Sequence, residues 1–534
     1  MKRRNFIELC MAGSAALLTE TGCKRPRASF KGTITGASAQ IGHILRDMKN
    51  IPSPKHYTVA GTVIAGAGIS GLSAGRWLHE HGREDFIVLE LESYTGGNAA
   101  YGKNEVSAYP MGAHYIPVPN NHLTEYLDFL EDARVILYRD ESGLPFYNEE
   151  FLCYDPQERL YINGSWQDGL IPQRGITADE KQQFEKFLAL MDHYRHLKDD
   201  EGQYVFDIPV DRSSRQPVYT QLDTITMSEW LQQEQLTAPA LHWYVNYCTR
   251  DDFGCDAVSV SAWVGIHYFA SRKGEAVNAA HGDVITWPQG NGYLADQLKK
   301  DFKDHIITDS LVLAVFQKDK KVAVHYLDVK SKQVRGILAD NCILATPVFV
   351  TGRLMKDQEP FKKAKDSFTY TPWMVANLKL RQPAVSTWAG ICWDNVIYNS
   401  ASLGYVDATH QLIDQLTSYK NITYYLPLTD KDATTARIAA YGNNHTDWCQ
   451  KVLSDLKTAH PRIEEYLEEI NITVWGHAMP KPVPGHIFGG VRQTLQQPVN
   501  NQIFFAHTDY AGISIFEEGF YQGINAAQKI INAG

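Results

Sequence analysis

Hydrophobic and polar positions follow different rhythms in different stretches of the chain. From Val63 a short apolar run enters a glycine-rich turn, and apolar residues then recur at Leu72 and Leu78 with helical spacing. A second apolar run, DFIVLELE, ends in acid. Strand, glycine turn, helix and strand within about thirty residues predict the βαβ unit of a doubly wound sheet. From about residue 120 to 280 the pattern is helical and aromatic, with helices predicted around 122–132, 178–196 and 227–237. The runs LVLAVFQ and KVAVHYLDV alternate with period two around Asp319-Lys320, which predicts a hairpin. Residues 350–470 hold further strands and one helix; the strand QIFFAH and an alanine-rich helix close the chain.

A chain of 534 residues exceeds a single core, so two packed domains are expected. Its 51 basic and 61 acidic residues leave a net charge of −10, which speaks against an extended nucleic-acid surface. Eight scattered cysteines form no CxxC pair, so no metal site or redox dithiol is expected. Cys248 and Cys255 are near enough in sequence for a disulfide, although small core residues are the plainer reading.

The N-terminus, MKRRNFIELCMAGSAALL, places Arg3-Arg4 before a short, weakly apolar run and looks like a twin-arginine export signal. This implies recognition by the twin-arginine export machinery, a periplasmic or exported location, and passage of an already folded protein. The run is too short and polar for a transmembrane segment, and none occurs later in the chain. Thr21-Gly22-Cys23 raises lipid anchoring at Cys23, with Glu20 fitting that motif poorly. Residues 1–28 are therefore assigned to the signal and 29–57 to an extension lying on the domain surface.

Gly66-x-Gly68-x-x-Gly71 has the chemistry of a dinucleotide site. The first glycine makes the tight turn, the second admits a pyrophosphate, and the third lets the helix approach the sheet. The helix start, with Ile69 and Ser70, offers unpaired N–H groups to phosphate. Glu90 lies 90 − 71 = 19 residues beyond Gly71, at the end of the second strand, where its carboxylate can accept both ribose hydroxyls.

The residues just beyond Glu90 separate FAD from NAD. Glu90 precedes LESYTGGN, and the pair Gly96-Gly97 resembles a motif of the flavin amine oxidase superfamily, which includes amine oxidases, protoporphyrinogen oxidases and carotenoid desaturases. Further resemblances occur in chain order. They are Met111-Gly112-Ala113-His114-Tyr115, Trp287 to Leu294, Val312-x-x-Val315, Ile343 to Pro347, and Phe504 to Asp509 with Glu517-Glu518-Gly519.

The resemblance implies an α/β fold: a Rossmann-like FAD/NAD(P)-binding domain of the glutathione-reductase type with an inserted α+β substrate domain. It assigns 58–120, 281–350 and 471–534 to FAD binding, and 121–280 and 351–470 to the substrate domain. By the same resemblance, Gly112, Ala113, His114 and Tyr115 lie against the isoalloxazine, and Val312 belongs to the strand at the adenine. Asp509 would bond the ribityl or pyrophosphate region, and the N–H groups near Ile515 and Phe516 would face the N1–C2=O edge. With no cysteine beyond Cys449, FAD is expected to be noncovalent.

Three departures from the family pattern stand out. Asn98 replaces an arginine, and His507 replaces a glycine. The lysine many amine oxidases place near flavin N5 falls at Asn377 or Leu378, with Lys379 requiring a shift of register. Trp475 and His477 belong to a segment that lines the substrate face in relatives, and with His114 they are the catalytic candidates. Tyr247, Arg250, Asp251 and Asp252 read better as a solvated helix end or a salt bridge than as a substrate clamp.

The implied chemistry is hydride transfer from a small or lipophilic organic substrate to FAD, with reoxidation by oxygen or a quinone. The alternatives are a C–C desaturase or isomerase, which an apolar tunnel would favour, and an electron-transfer protein without turnover of its own. An acid or an aromatic cage would favour amines.

Overall fold

The computed structural model describes residues 30–362, 367–381, 392–412 and 418–533. Arg3-Arg4 and Cys23, on which the export and lipidation expectations rest, lie outside them.

Two large sheets organise the protein. The seven-stranded sheet runs in the order 306–307, 86–89, 57–65, 333–344, 321–328, 310–318, with 503–505 also paired to 333–344. Strand Tyr57–Ala65 lies parallel to both Phe86–Leu89 and Gln333–Leu344. Its apolar end, Val63 to Ala65, is fully buried, which explains the unbroken hydrophobic run in the sequence. The predicted hairpin forms from Ser310–Lys318 and Lys321–Asp328, and Asp319 takes the left-handed φ of 57° that the tight turn requires. Helix Ile69–Glu80 follows the first strand, and the closing helix Phe516–Ala533 packs across it. The approach demands glycine: a Cβ on Gly523 would lie 2.2 Å from the Ser70 carbonyl oxygen.

The eight-stranded sheet has the order 34–36, 467–480, 370–381, 419–427, 405–407, 394–397, 158–162, 165–168. Strand Leu467–Pro480 pairs along most of its length with Tyr370–Arg381, setting Trp475 opposite Trp373. The boundary expected at residue 471 thus falls inside a strand of the second sheet. The resemblance singled out Trp475 but not the sheet to which it belongs. Residues 34–36 form an edge strand of this same sheet, so the extension expected on the domain surface is also paired into it.

The helices of the intervening region are Ala178–His196, Met227–Gln233, Pro239–Phe253 and Ala262–Ala270. Capping boxes, Thr177 with Glu180 and Thr226 with Glu229, start the first two. Helix Pro239–Phe253 stops at Gly254, whose φ of 57° closes the turn and leaves Asp251 and Asp252 on its last turn. Cys248 and Cys255 are both buried free thiols, so the small-core-residue reading holds there. Among the described residues no helix is long and apolar enough to cross a membrane.

Candidate active site

The glycine turn forms where the first strand ends. Gly66 has φ 104° and donates its N–H to the Leu89 carbonyl at 2.8 Å. A Cβ on Gly71 would sit 1.9 Å from the Gly66 oxygen, whereas one on Gly68 would meet nothing within 4 Å. Gly68 therefore borders open space at the start of a helix whose first N–H groups, beginning at Ile69 and Ser70, are aligned on it. Gly96 donates to the Ala67 carbonyl at 2.8 Å, and Gly97, with φ 57°, closes against Gly68.

Glu90 ends the neighbouring strand with its carboxylate fixed by two backbone donors, Ala67 N–H at 2.7 Å and Glu92 N–H at 2.9 Å. Burial raises its pKa to about 7, against the pull of those N–H groups. A buried Tyr94 hydroxyl, raised in pKa by its burial and by Glu92 and Glu90, has no partner among the described residues. An oriented carboxylate, a glycine-lined gap at a helix start and an orphaned hydroxyl fit an adenosine diphosphate moiety. Val312, expected at the adenine, lies on Ser310–Lys318 at a break in register between Val312 and Ala314.

A cavity lies against the eight-stranded sheet at Trp373, Val375, Tyr425 and Trp475, and many separate segments build its other walls. Asn98, Gly112 to Tyr115, Ile515 and Phe516 all line it, together with Trp475. The Asn98 amide donates to the Ala478 carbonyl at 2.6 Å, so the position held by arginine in relatives here ties a loop to the second sheet. His114 stacks on Tyr425 with ring centres 4.4 Å apart, and burial lowers its pKa to about 3. It is neutral throughout the physiological range. Trp475 donates its indole N–H to the Met111 carbonyl at 2.7 Å, which fixes an aromatic wall.

Other expected residues lie elsewhere. His477 does not line the cavity; it stacks on Phe349 with ring centres 4.3 Å apart, and burial drops its pKa to about 3. Asp509 also lies outside the lining and is fully buried. Its Oδ2 accepts from Val348 N–H at 2.7 Å and from the Tyr370 hydroxyl at 2.5 Å. Asn377 is buried and donates to the Pro110 carbonyl and the Thr423 hydroxyl, both at 2.9 Å. Lys379 pairs with Glu105. Among the described lining residues there is no lysine; the residues that Tyr370–Arg381 turns toward the cavity are Trp373 and Val375.

The salt bridge expected at 250–252 holds for Arg250, which pairs with Asp256 at 3.5 Å, but for the two acids the solvated helix end is corrected. Helix Pro239–Phe253 aims its last turn inward, and Asp251 and Asp252 face the cavity. Burial and the mutual repulsion of the pair raise Asp251 to about 7, and burial raises Asp252 to about 6. The Tyr115 hydroxyl lies 3.4 Å from Asp251 Oδ2. Arg272, also on the wall, is bound to Glu517 at 2.8 Å. Burial opposes the charge on Arg272, but Glu517 and Asp252 outweigh it and hold the guanidinium protonated.

Sequence reasoning missed Trp373, Tyr425, Arg272 and Glu517 as wall residues. No spacing in the chain links them, and only the helix-end acid pair gave a local signal.

The flavin containing amine oxidoreductase family model matches residues 69–531. Amine oxidase [flavin-containing] B of Sus scrofa is 24% identical over 289 residues, 52% of this chain and 49% of that enzyme. The match thus spans about half the length of that relative. A redesigned putrescine oxidase superposes with a TM-score of 0.64 at 15% identity, covering 89% of this chain and 99% of its own. Cyclohexylamine oxidase from Brevibacterium oxydans gives 0.62 at 15% identity, with 89% and 99% covered. These structures share the fold. The family match covers most of the chain, including Gly71, Glu90 and the residues that line the cavity. The chain belongs to the flavin containing amine oxidoreductase family, and its cofactor is FAD.

Proposed function

We propose that the protein oxidises an amine that binds as a cation beside Asp251 and Asp252, by hydride transfer from the carbon next to nitrogen. The observation that carries this reading is the charge balance of the wall. Among the described lining residues the one arginine is matched to Glu517, while two further carboxyl groups face the cavity. An ammonium ion would offset one of these acids, and the Tyr115, Tyr425, Trp373 and Trp475 rings would flank its carbon skeleton. Bound noncovalently, FAD would supply the hydride-accepting chemistry, and oxygen or a quinone would reoxidise it.

The chain's own residues would bind, orient and deprotonate. Asp251, ionised above about pH 7, would take a proton from the substrate ammonium at Oδ2, leaving the neutral amine from which hydride departs. His114, held neutral, would act as wall and hydrogen-bonding group, not as an acid. A free amino acid is a poorer fit, because its carboxylate would compete with Glu517 for Arg272. A polyene would leave both acids unmatched, which weighs against the desaturase or isomerase reading. Anaerobic mixing with amines, amino acids and polyenes tests the proposal: amines should bleach the flavin spectrum, and bleaching by polyenes alone would overturn it.

The Arg3-Arg4 pair further supports export of the folded, cofactor-loaded protein to the periplasm by the twin-arginine machinery. Replacing both arginines with lysine should retain it in the cytoplasm; unchanged export would refute this route.

A further inference from the structure

The segment 30–48 contacts chain neighbours of two residues already described, Trp475 and Glu90. Its first half lies along strand Leu467–Pro480, with Ile34, Thr35 and Gly36 in parallel register with Ile472, Thr473 and Val474. The fit is close enough to dictate residue type. A Cβ on Gly32 would lie 1.9 Å from the Ile470 oxygen, and one on Gly36 would lie 2.2 Å from the Val474 oxygen. Both glycines also have positive φ, 134° and 131°. Gly36 therefore sits beside Val474, the residue before the Trp475 of the cavity wall.

The segment then turns at Ser38 and crosses to the other sheet. Ser38 donates its N–H to Glu92 Oε1 at 2.7 Å and its hydroxyl to Oε2 at 2.6 Å. The backbone N–H of that same Glu92 holds the Glu90 carboxylate at 2.9 Å. Helix Ala39–Asp47 continues from Ser38, with Gly42 over Leu91 and Leu45 packed against a cluster that includes Leu89 and Val312. It lies by the carboxyl ends of the strands where a doubly wound sheet binds its dinucleotide.

We propose that residues 30–48 are a clasp that retains FAD, with Ser38 and Glu92 as positioning residues for the ribose-binding Glu90. Docking Ser38 on Glu92 fixes the backbone at residue 92, and through it the direction of the Glu90 carboxylate. The edge strand anchors the clasp to the substrate sheet, so cofactor release requires the helical half to lift while the strand half stays paired. This role rests on the assignment of FAD to the glycine turn and Glu90.

The test uses the purified holoprotein and follows flavin fluorescence as FAD is released on dilution. Glu92→Ala frees both Ser38 donors and should speed release about tenfold, while the melting temperature of the apoprotein stays within about a degree of wild type. Ser38→Ala removes one donor and should give an intermediate rate. Glu92→Gln, which keeps an acceptor for Ser38 N–H, should recover part of the loss. Wild-type release from Glu92→Ala would overturn the clasp, and so would an apoprotein melting temperature that falls as far as that of the holoprotein. A wild-type protein that carries no FAD would instead refute the cofactor assignment on which the clasp depends.

Discussion

The two ends of the cofactor site are built on different principles. At the adenosine end the recognition groups are backbone N–H donors and absent side chains, supplied by one continuous stretch from Gly66 to Gly97 with a single carboxylate, Glu90. At the cavity end they are side chains from separate loops, helices and strands, among them Tyr115, Asp251, Arg272, Trp373, Tyr425 and Trp475. A backbone site tolerates little change at its glycines: Gly66, Gly71 and Gly97 each press on another main chain, and Gly68 borders the open space itself. A side-chain site can be re-equipped one residue at a time while the fold persists. On the proposed reading, cofactor identity follows from the first end and substrate choice from the second.

The largest effect is expected where the backbone is most constrained. In Gly71→Val the new side chain would drive into the Gly66 carbonyl, which lies 1.9 Å from an ideal Cβ, and would break the turn. The purified protein should be colourless, and denaturation should release no flavin. A yellow Gly71→Val protein would mean that the turn is not the phosphate site.

At the other end, Asp251→Asn should lower kcat/KM for an amine substrate about a hundredfold, or about 3 kcal/mol, within the range of a single general base. The wild-type profile should rise with pH through about 7, as Asp251 becomes a carboxylate, and the variant should lose that limb. The stability sign is opposite. A carboxyl whose pKa is raised on folding contributes stability below its unfolded pKa of about 4, and loses it as pH rises through the folded value. The Asp251→Asn apoprotein should therefore melt higher than wild type at pH 8 and not at pH 4. A profile unchanged by the substitution would remove Asp251 from the proton-transfer role.

The two acids expected at the cofactor can be separated by the same logic. Each Glu90 oxygen accepts one backbone N–H and keeps room for a ribose hydroxyl, whereas Asp509 Oδ2 is committed to Val348 and Tyr370 and its Oδ1 lies 3.1 Å from His507 Nδ1. Glu90→Ala should weaken FAD binding about tenfold more than Asp509→Ala. Asp509→Ala should chiefly destabilise the fold, by about 1–3 kcal/mol, by stranding a buried N–H and a hydroxyl. Titration of each apoprotein with FAD, alongside its melting curve, reads both quantities. Accepting ribose hydroxyls favours the ionised form of Glu90, so FAD affinity should rise with pH through about 7. The reverse order of the two variants would move the ribose contact to Asp509.

The contrast also explains what could be read from the chain. The βαβ unit, the 310–328 hairpin and the 178–196 helix were legible because hydrophobic period, turn residues and caps are local signals. Glu90 was legible because a fixed distance along the chain ties it to the turn. Asp251 and Asp252 looked solvated because a polar helix end reads the same whether it meets water or a cavity. Trp373 and Tyr425 carried no signal, since in a strand that packs on both faces one aromatic looks like another.

The smallest effect is predicted for the residue that chemistry would have favoured most. Trp373, Val375, Asn377 and Lys379 alternate along one strand, so a lysine on that face looks suited to the cavity. Distance decides otherwise. Four residues of strand carry the chain about 13 Å from Val375 to Lys379, beyond Asn377, which is already fastened to Pro110. Lys379 there meets Glu105 and Glu468 in an ion pair open to solvent on the acid side, where water screens the attraction. Lys379→Met should leave the flavin spectrum and kcat/KM within about twofold of wild type and shift the melting temperature by about a degree. A hundredfold loss of activity would place the lysine in the site and overturn the strand register that seats Trp373 there.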